Sequence, residues 1–208
     1  MDSIPNCREI FSDELAKIHD SSIRDFVIEV FKLICPDYFW TVAASTTGKY
    51  HPLISIGKGG LIRHVKLAVW WGELYCLAYD DVTEEMTCQI IASLLIHDIL
   101  KNGKELTPGG MPKHREITRT HGVDLAKELQ KHKRKLVELS AISPRLFRRI
   151  FRGVGGHMGK WTDEKYEKYK PSELTNKQDR RVAEIVHLAD FTSAQKIDSF
   201  MDNLKENW

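Results

Sequence analysis

Among the side chains of this 208-residue chain, its nine histidines are the ones best placed by type to do chemistry, and one adjoins a carboxylate. His97 and Asp98 close the apolar run Ala92-Ser-Leu-Leu-Ile-His-Asp-Ile-Leu-Lys101. Adjacent residues on a helix point to different sides, so both can meet one ligand only where the helix ends or where several helices converge. A His-Asp pair alone says little. Its company says more: His64 closes Gly59-Gly-Leu-Ile-Arg-His64, and Asp190 lies in Glu184-Ile-Val-His-Leu-Ala-Asp190-Phe-Thr-Ser193, each on an apolar-periodic segment. Imidazole and carboxylate together suit borderline and hard divalent ions. The cysteines at 7, 35, 76 and 88 show no CxxC spacing, which argues against a thiolate zinc site and reads as reduced, mostly core thiols. Burying Asp98 beside an imidazole is costly without a cation to compensate it.

The order His64, then His97-Asp98, then Asp190 resembles the HD-domain metal-dependent phosphohydrolase superfamily, over residues 57–195. That resemblance implies an all-α fold, a single compact helical bundle. It implies a first metal held by His64, His97, Asp98 and Asp190. In binuclear members two histidines lie between the His-Asp pair and the last Asp; His121 and His157 stand in that order, with Asp98 then bridging both ions. His114 competes with His121 and is the less favoured of the two. Lys101 matches the lysine of the HD-x-x-K form, which faces the substrate phosphate, so Asp98 and Lys101 are the expected catalytic residues. Lys101 can equally be a solvated residue closing a helix C-terminus. The expected cofactor is one or two divalent ions, with Mn, Fe, Co, Ni, Zn and Mg not distinguished. Such ions generate hydroxide near neutral pH, and a pair about 3.5–4 Å apart clamps the attacking and leaving oxygens of a phosphoryl displacement. The Gly-Tyr-Pro signature of cyclic-di-GMP phosphodiesterases is absent from the sequence.

These residues must be positioned by helices. Residues 8–35 carry apolar side chains at helical spacing, with a break at Asp20-Ser-Ser22 and a stop at Pro36. Residues 41–60 lose that period and form a long loop before the first ligand helix. Ser45, Thr46, Thr47, Lys49, His51 and Lys58 offer donors of the kind that hold phosphate oxygens, so Ser45, Lys49, His51, Lys58 and Lys101 are the expected substrate contacts. An ordinary polar surface loop is the alternative. From Gly60 to Ala78 the chain is apolar on most of its circumference, predicting a buried central helix that carries His64. A Thr83 cap starts the helix into His97-Asp98. A further helix is expected over Glu116–Lys131 with His121 near its middle. Another runs from Ser143-Pro144 until it gives out in Gly153-Val-Gly-Gly-His157, and the last covers about Gln178–Leu204 with Asp190 on an apolar face. His187 lies one turn before Asp190, while His19 and His132 have surface-like surroundings. The division expected is N-terminal helices over 1–40 packing on an HD-type core over 41–208, within one domain.

Hydrophobic residues at 42% and charged residues at 29% are ordinary for a soluble protein, and no run is long enough to cross a bilayer. With no basic and apolar leader at residues 1–9, a cytoplasmic location is expected. A net charge of +2 does not by itself argue for nucleic acid. Residues 127–152 concentrate Lys and Arg, which can meet nucleic acid or form a solvated helix face. The leading expectation is hydrolysis of a nucleotide or other small phosphate ester. The alternatives are a nuclease acting on RNA or single-stranded DNA, and a non-catalytic domain that binds metal or nucleotide. Oligomeric state is not legible.

Overall fold

The computed structural model describes residues 6–45, 47, 48, 51–113 and 118–196. The chain is all-α: α1 Cys7–Ile10, α2 Ser12–Ala16, α3 Ser21–Ile34, α4 Gly60–Ala78, α5 Glu84–Ile96, α6 His121–Ser140, α7 Pro144–Gly156 and α8 Lys177–Ser193. Among the described residues there is no strand, only a lone bridge between Leu106 and Pro112. No helix is long and apolar enough to cross a membrane among the described residues.

Helix starts follow their caps. The Asp20 carboxylate accepts from the N–H groups of Ser22 and Ile23, Thr83 accepts from Met86, Ser143 from Leu146 and Asn176 from Asp179. α5 is the central element, buried at nearly every position from Met86 to Ile96, with α3, α4, α7 and α8 packed around it. The expectation that α4 is central is corrected: it buries Leu61, His64, Val65, Ala68 and Val69, but Trp70, Leu74 and Leu77 face outward. Its neighbours α5 and α8 cover one side only, and total apolarity along a helix does not say which neighbours it has.

The glycines of residues 153–156 do not end α7; they are its last helical turn. A Cβ at Gly153 would lie 2.7 Å from Ser93 Oγ on α5, so glycine there lets two helix backbones approach closely. The last helix is shorter than expected. It ends at Ser193, where the N–H groups of Ala194 and Gln195 turn back to Phe191 and Thr192, and residues 197–204 lie outside the described set.

Much of the basic stretch is neutralised within the fold. Arg145 makes a bidentate pair with Glu85 at 2.6 and 2.5 Å. Arg149, only 3% exposed, meets Asp179 at 3.2 Å, Glu85 at 3.1 Å and the Gln178 side-chain oxygen, tying α5, α7 and α8 together. Arg148 adds a second contact to Asp179. Removing one partner of a buried pair leaves an uncompensated charge. Asp179→Ala is expected to destabilise by about 2 kcal/mol, less than a fully broken pair because Glu85 and Gln178 remain. That corresponds to roughly 4–8 °C in Tm for a chain of this size. An unchanged melting temperature would show that the network carries no stability.

The loop over 41–60 is tied down by side chain and backbone. Arg63 donates to the carbonyls of Ile54, Ile56 and Lys58, while Leu61 and Gly59 N–H groups bind Val42 and Thr41 carbonyls. These contacts fix the start of α4, and with it His64.

Candidate metal centre

Five helices deliver the cluster, three of them from their ends. His64 comes from the second turn of α4 and Asp190 from the last turn of α8. His97 is the residue after α5, where the chain tightens through the bonds Ile99 N–H to Ile96 O and Lys101 N–H to Asp98 O, which brings Asp98 round beside it. His157 caps α7. His121 is the first residue of α6, not its middle: Thr118 is bound through its N–H and its hydroxyl to the Lys101 carbonyl, which keeps residues 118–120 out of the helix.

The Asp98 Oδ2 atom lies 3.3 Å from His64 Nε2 and 3.4 Å from His97 Nε2, and Asp190 Oδ1 lies 3.1 and 3.3 Å from the same two nitrogens. On its other side Asp98 Oδ1 lies 3.0 Å from His121 Nε2 and 3.8 Å from His157 Nε2. Two groups result, His64–His97–Asp98–Asp190 and Asp98–His121–His157, with Asp98 common to both.

What these rings do with their other nitrogen decides the chemistry. His97, His121 and His157 each donate Nδ1–H to the carbonyl three residues back, of Leu94, Thr118 and Val154, at 2.6, 2.6 and 2.7 Å. Ser193 Oγ donates to the Asp190 carbonyl at 2.7 Å, so it accepts from His64 Nδ1–H at 3.3 Å. Every Nε2 therefore presents a lone pair to the cluster, the tautomer and orientation that outer hydrogen bonds impose on metal-binding histidines. The Nε2 atoms of His121 and His157 are 2.9 Å apart, lone pair against lone pair. That separation suits two ligands of one ion, since bonds of ~2.0–2.1 Å set ligand edges of about 3.0–3.4 Å. His97 Nε2 and Asp98 Oδ1 are buried without a hydrogen-bond partner. The donor set fits divalent metal.

Charge within the cluster points the same way. Burial opposes a charged imidazole at His97, but the Asp98 and Asp190 carboxylates outweigh it and hold the group up to about 10. Burial likewise opposes ionisation of both carboxyls, yet His97 and Lys101 around Asp98, and His64 and His97 around Asp190, keep them well below the usual range. His157 is pushed down to about 3 by burial and by His121 and His97, leaving it neutral. Metal binding must then displace the His97 proton. That proton contributes stability that is complete below the unfolded imidazole value of about 6.5 and is lost as pH rises through about 10. Apparent affinity for a divalent ion is expected to climb up to roughly tenfold per pH unit above 6.5, with proton release on binding. Calorimetry in buffers of different ionisation enthalpy measures that release, and a pH-independent affinity would remove His97 from the ligand set.

Lys101 is only 5% exposed and its ammonium pairs with Asp98 Oδ2, so it is no solvated helix-end residue. His51 reaches the cluster from the long loop: its ring lies 5.4 Å from that of His64, its Nδ1 is buried without a partner, and burial with the Lys101 and His64 charges pushes it down to about 4. Two other loop candidates are not brought to the cluster. Ser45 Oγ is taken by the Gly48 N–H, and the Lys58 side chain is exposed with only its carbonyl held, by Arg63. Thr46, Lys49 and His114 lie outside the described residues. His19 and His132 stand apart from the cluster, paired with Glu84 and Glu128.

Sequence reasoning missed Ser193, the carbonyls of Leu94, Thr118 and Val154, and His187, whose Nδ1 donates to the His157 carbonyl at 2.7 Å. Only Ser193 carried a sequence signal, its place one turn after Asp190. The Asp190 side chain is 18% exposed while those of His64, His97, Asp98 and His157 are fully enclosed, so solvent reaches the cluster along the flank of Asp190. Compared with protein-family models, with curated proteins and with solved structures, the chain finds a match in none of the three.

Proposed function

We propose that this protein is an HD-type metal-dependent phosphohydrolase or phosphodiesterase that hydrolyses a nucleotide or other small phosphate ester. The observation that carries this reading is the convergence of imidazole lone pairs on two carboxylates, with a buried lysine on the shared one. In this reading His64, His97, Asp98 and Asp190 hold one ion, and His121, His157 and Asp98 hold a second. When bound, such ions activate water for attack on phosphorus and draw charge from the phosphoryl oxygens.

The chain's own residues then have distinct tasks. Asp98 spans the two ligand groups and fixes their spacing. The backbone carbonyls behind His97, His121 and His157 hold each ring in one tautomer and raise the basicity of Nε2. Lys101, relieved of Asp98 by the cations, turns its ammonium to the non-bridging oxygens, where developing charge needs it. His51, held neutral, offers a ring nitrogen to the ester rather than a charge. The nuclease reading draws less support, because Arg145, Arg148 and Arg149 of the basic stretch are spent on Glu85 and Asp179.

The test is hydrolysis by chelator-treated protein reloaded separately with Mn, Fe, Co, Ni, Zn and Mg. Substrates should include nucleoside mono- and triphosphates, cyclic nucleotides, dinucleotides, sugar phosphates and short RNA. Metal-dependent release of phosphate or a nucleotide product is expected. No turnover with any metal, in protein shown to bind it, would leave a metal-binding domain without catalysis.

A further inference from the structure

Beyond the cluster, the described surface carries few large apolar side chains that touch one another, and single exposed ones need no explanation. Trp161 and Phe191 are different. Trp161 is 47% and Phe191 39% exposed, and their rings stack on each other, centroids 5.3 Å apart at 25°. Phe191 directly follows Asp190, the ligand along which solvent reaches the cluster. Trp161 sits one short turn beyond His157.

That turn is held to the metal ligands. Gly159 takes a positive φ of 52°, and the His187 ring fills the space its Cβ would need, 2.3 Å away. The same His187 binds the His157 carbonyl at 2.7 Å and lies 5.7 Å, ring to ring, from Trp161. The aromatic pair is therefore pre-set against both His157 and Asp190. Lys160 adds a cation at its edge, Nζ 4.8 Å from the Trp161 ring centre.

We propose that Trp161, backed by Phe191, is the base-stacking platform of this site, so that the ester it takes carries a purine or pyrimidine: a nucleotide rather than a sugar phosphate. The inference rests on the phosphohydrolase reading and narrows its substrate class. Flat aromatic faces beside a phosphate-binding centre recognise bases with little sequence preference, because every base has a π-face. Lys160 complements the negative charge that accompanies the base.

The test is calorimetric titration of manganese-loaded protein with adenosine 5′-monophosphate, ribose 5-phosphate and inorganic phosphate. The mononucleotide is expected to bind roughly tenfold or more tightly than ribose 5-phosphate, the increment that stacking supplies. Trp161→Ala should bring that ratio close to one while metal content and the ribose 5-phosphate affinity stay as in the parent protein. Trp161→Phe, which keeps a π-face and the turn, should retain most of the preference. Equal affinities for the two esters in the parent protein would overturn the platform and leave the phosphate-binding reading standing. A Trp161→Ala protein that keeps the full preference would do the same. If neither ester binds the manganese-loaded protein, both the platform and the reading beneath it fall.

Discussion

Asp98→Ala is expected to abolish binding of both ions, whereas His121→Ala or His157→Ala should cost one ion and keep the other. The asymmetry follows from the carboxylate's position. Its Oδ2 faces His64 and His97, and its Oδ1 faces His121 and His157, so it is the one side chain common to the two ligand groups. Losing an outer hydrogen-bond partner of a ligand typically lowers metal affinity ~10–100-fold. Losing a shared ligand should exceed that at both positions. The variant also leaves the His97, His64 and Asp190 groups intact, so a partial first site would show as weak residual binding there and none at His121 and His157. Elemental analysis after dialysis, with far-UV circular dichroism to verify the helical fold, reads the outcome. Parent metal content in Asp98→Ala would disprove the shared-ligand arrangement. Parent metal content and turnover in both histidine variants would leave a single ion.

Lys101→Ala is expected to reduce kcat by about 10²–10³, with metal content kept and KM little changed. Removal of one preorganised donor to developing charge has that order of effect, ~2.7–4 kcal/mol of barrier. Two features favour it for Lys101. The ammonium is buried, so its field is not screened by water, and it reaches Asp98 from only one turn along the chain, so the backbone fixes its origin. An interaction present only in the transition state lowers kcat and kcat/KM together, whereas uniform binding moves KM alone. Lys101→Met, which keeps the stem and removes the charge, should match the alanine variant in rate and exceed it in stability. A rise in KM at constant kcat would make Lys101 a binding residue. Loss of metal would make it a support for Asp98.

The helices of this protein were readable from local chemistry, because caps and apolar periods act over a few residues. Asp20, Thr83 and Ser143 announced three helix starts, and Pro36 one stop. His97-Asp98 at the end of an apolar run announced that two neighbouring side chains would serve one place, since only a helix end lets them converge. The identities of His64, His97, Asp98, His121, His157 and Asp190 as one set also came from order along the chain. Their meeting did not. Residues from five helices approach within hydrogen-bonding distances only because α4, α7 and α8 pack on α5, and no local pattern encodes which helix neighbours which. The same limit misplaced α4, whose Trp70, Leu74 and Leu77 look buried by composition and are exposed because no element covers that side. It put His121 inside a helix that a long-range tether from Thr118 to the Lys101 carbonyl starts later. It read the glycines of residues 153–156 as a stop, although their absent side chains let α7 approach α5. Above all, the tautomers rest on carbonyls and one hydroxyl. Those at Leu94, Thr118 and Val154 are free because they lie at helix ends or turns, where backbone acceptors lack partners of their own. Sequence supplied the ligand types; the packing of helix ends turned them into a site with every lone pair facing inward.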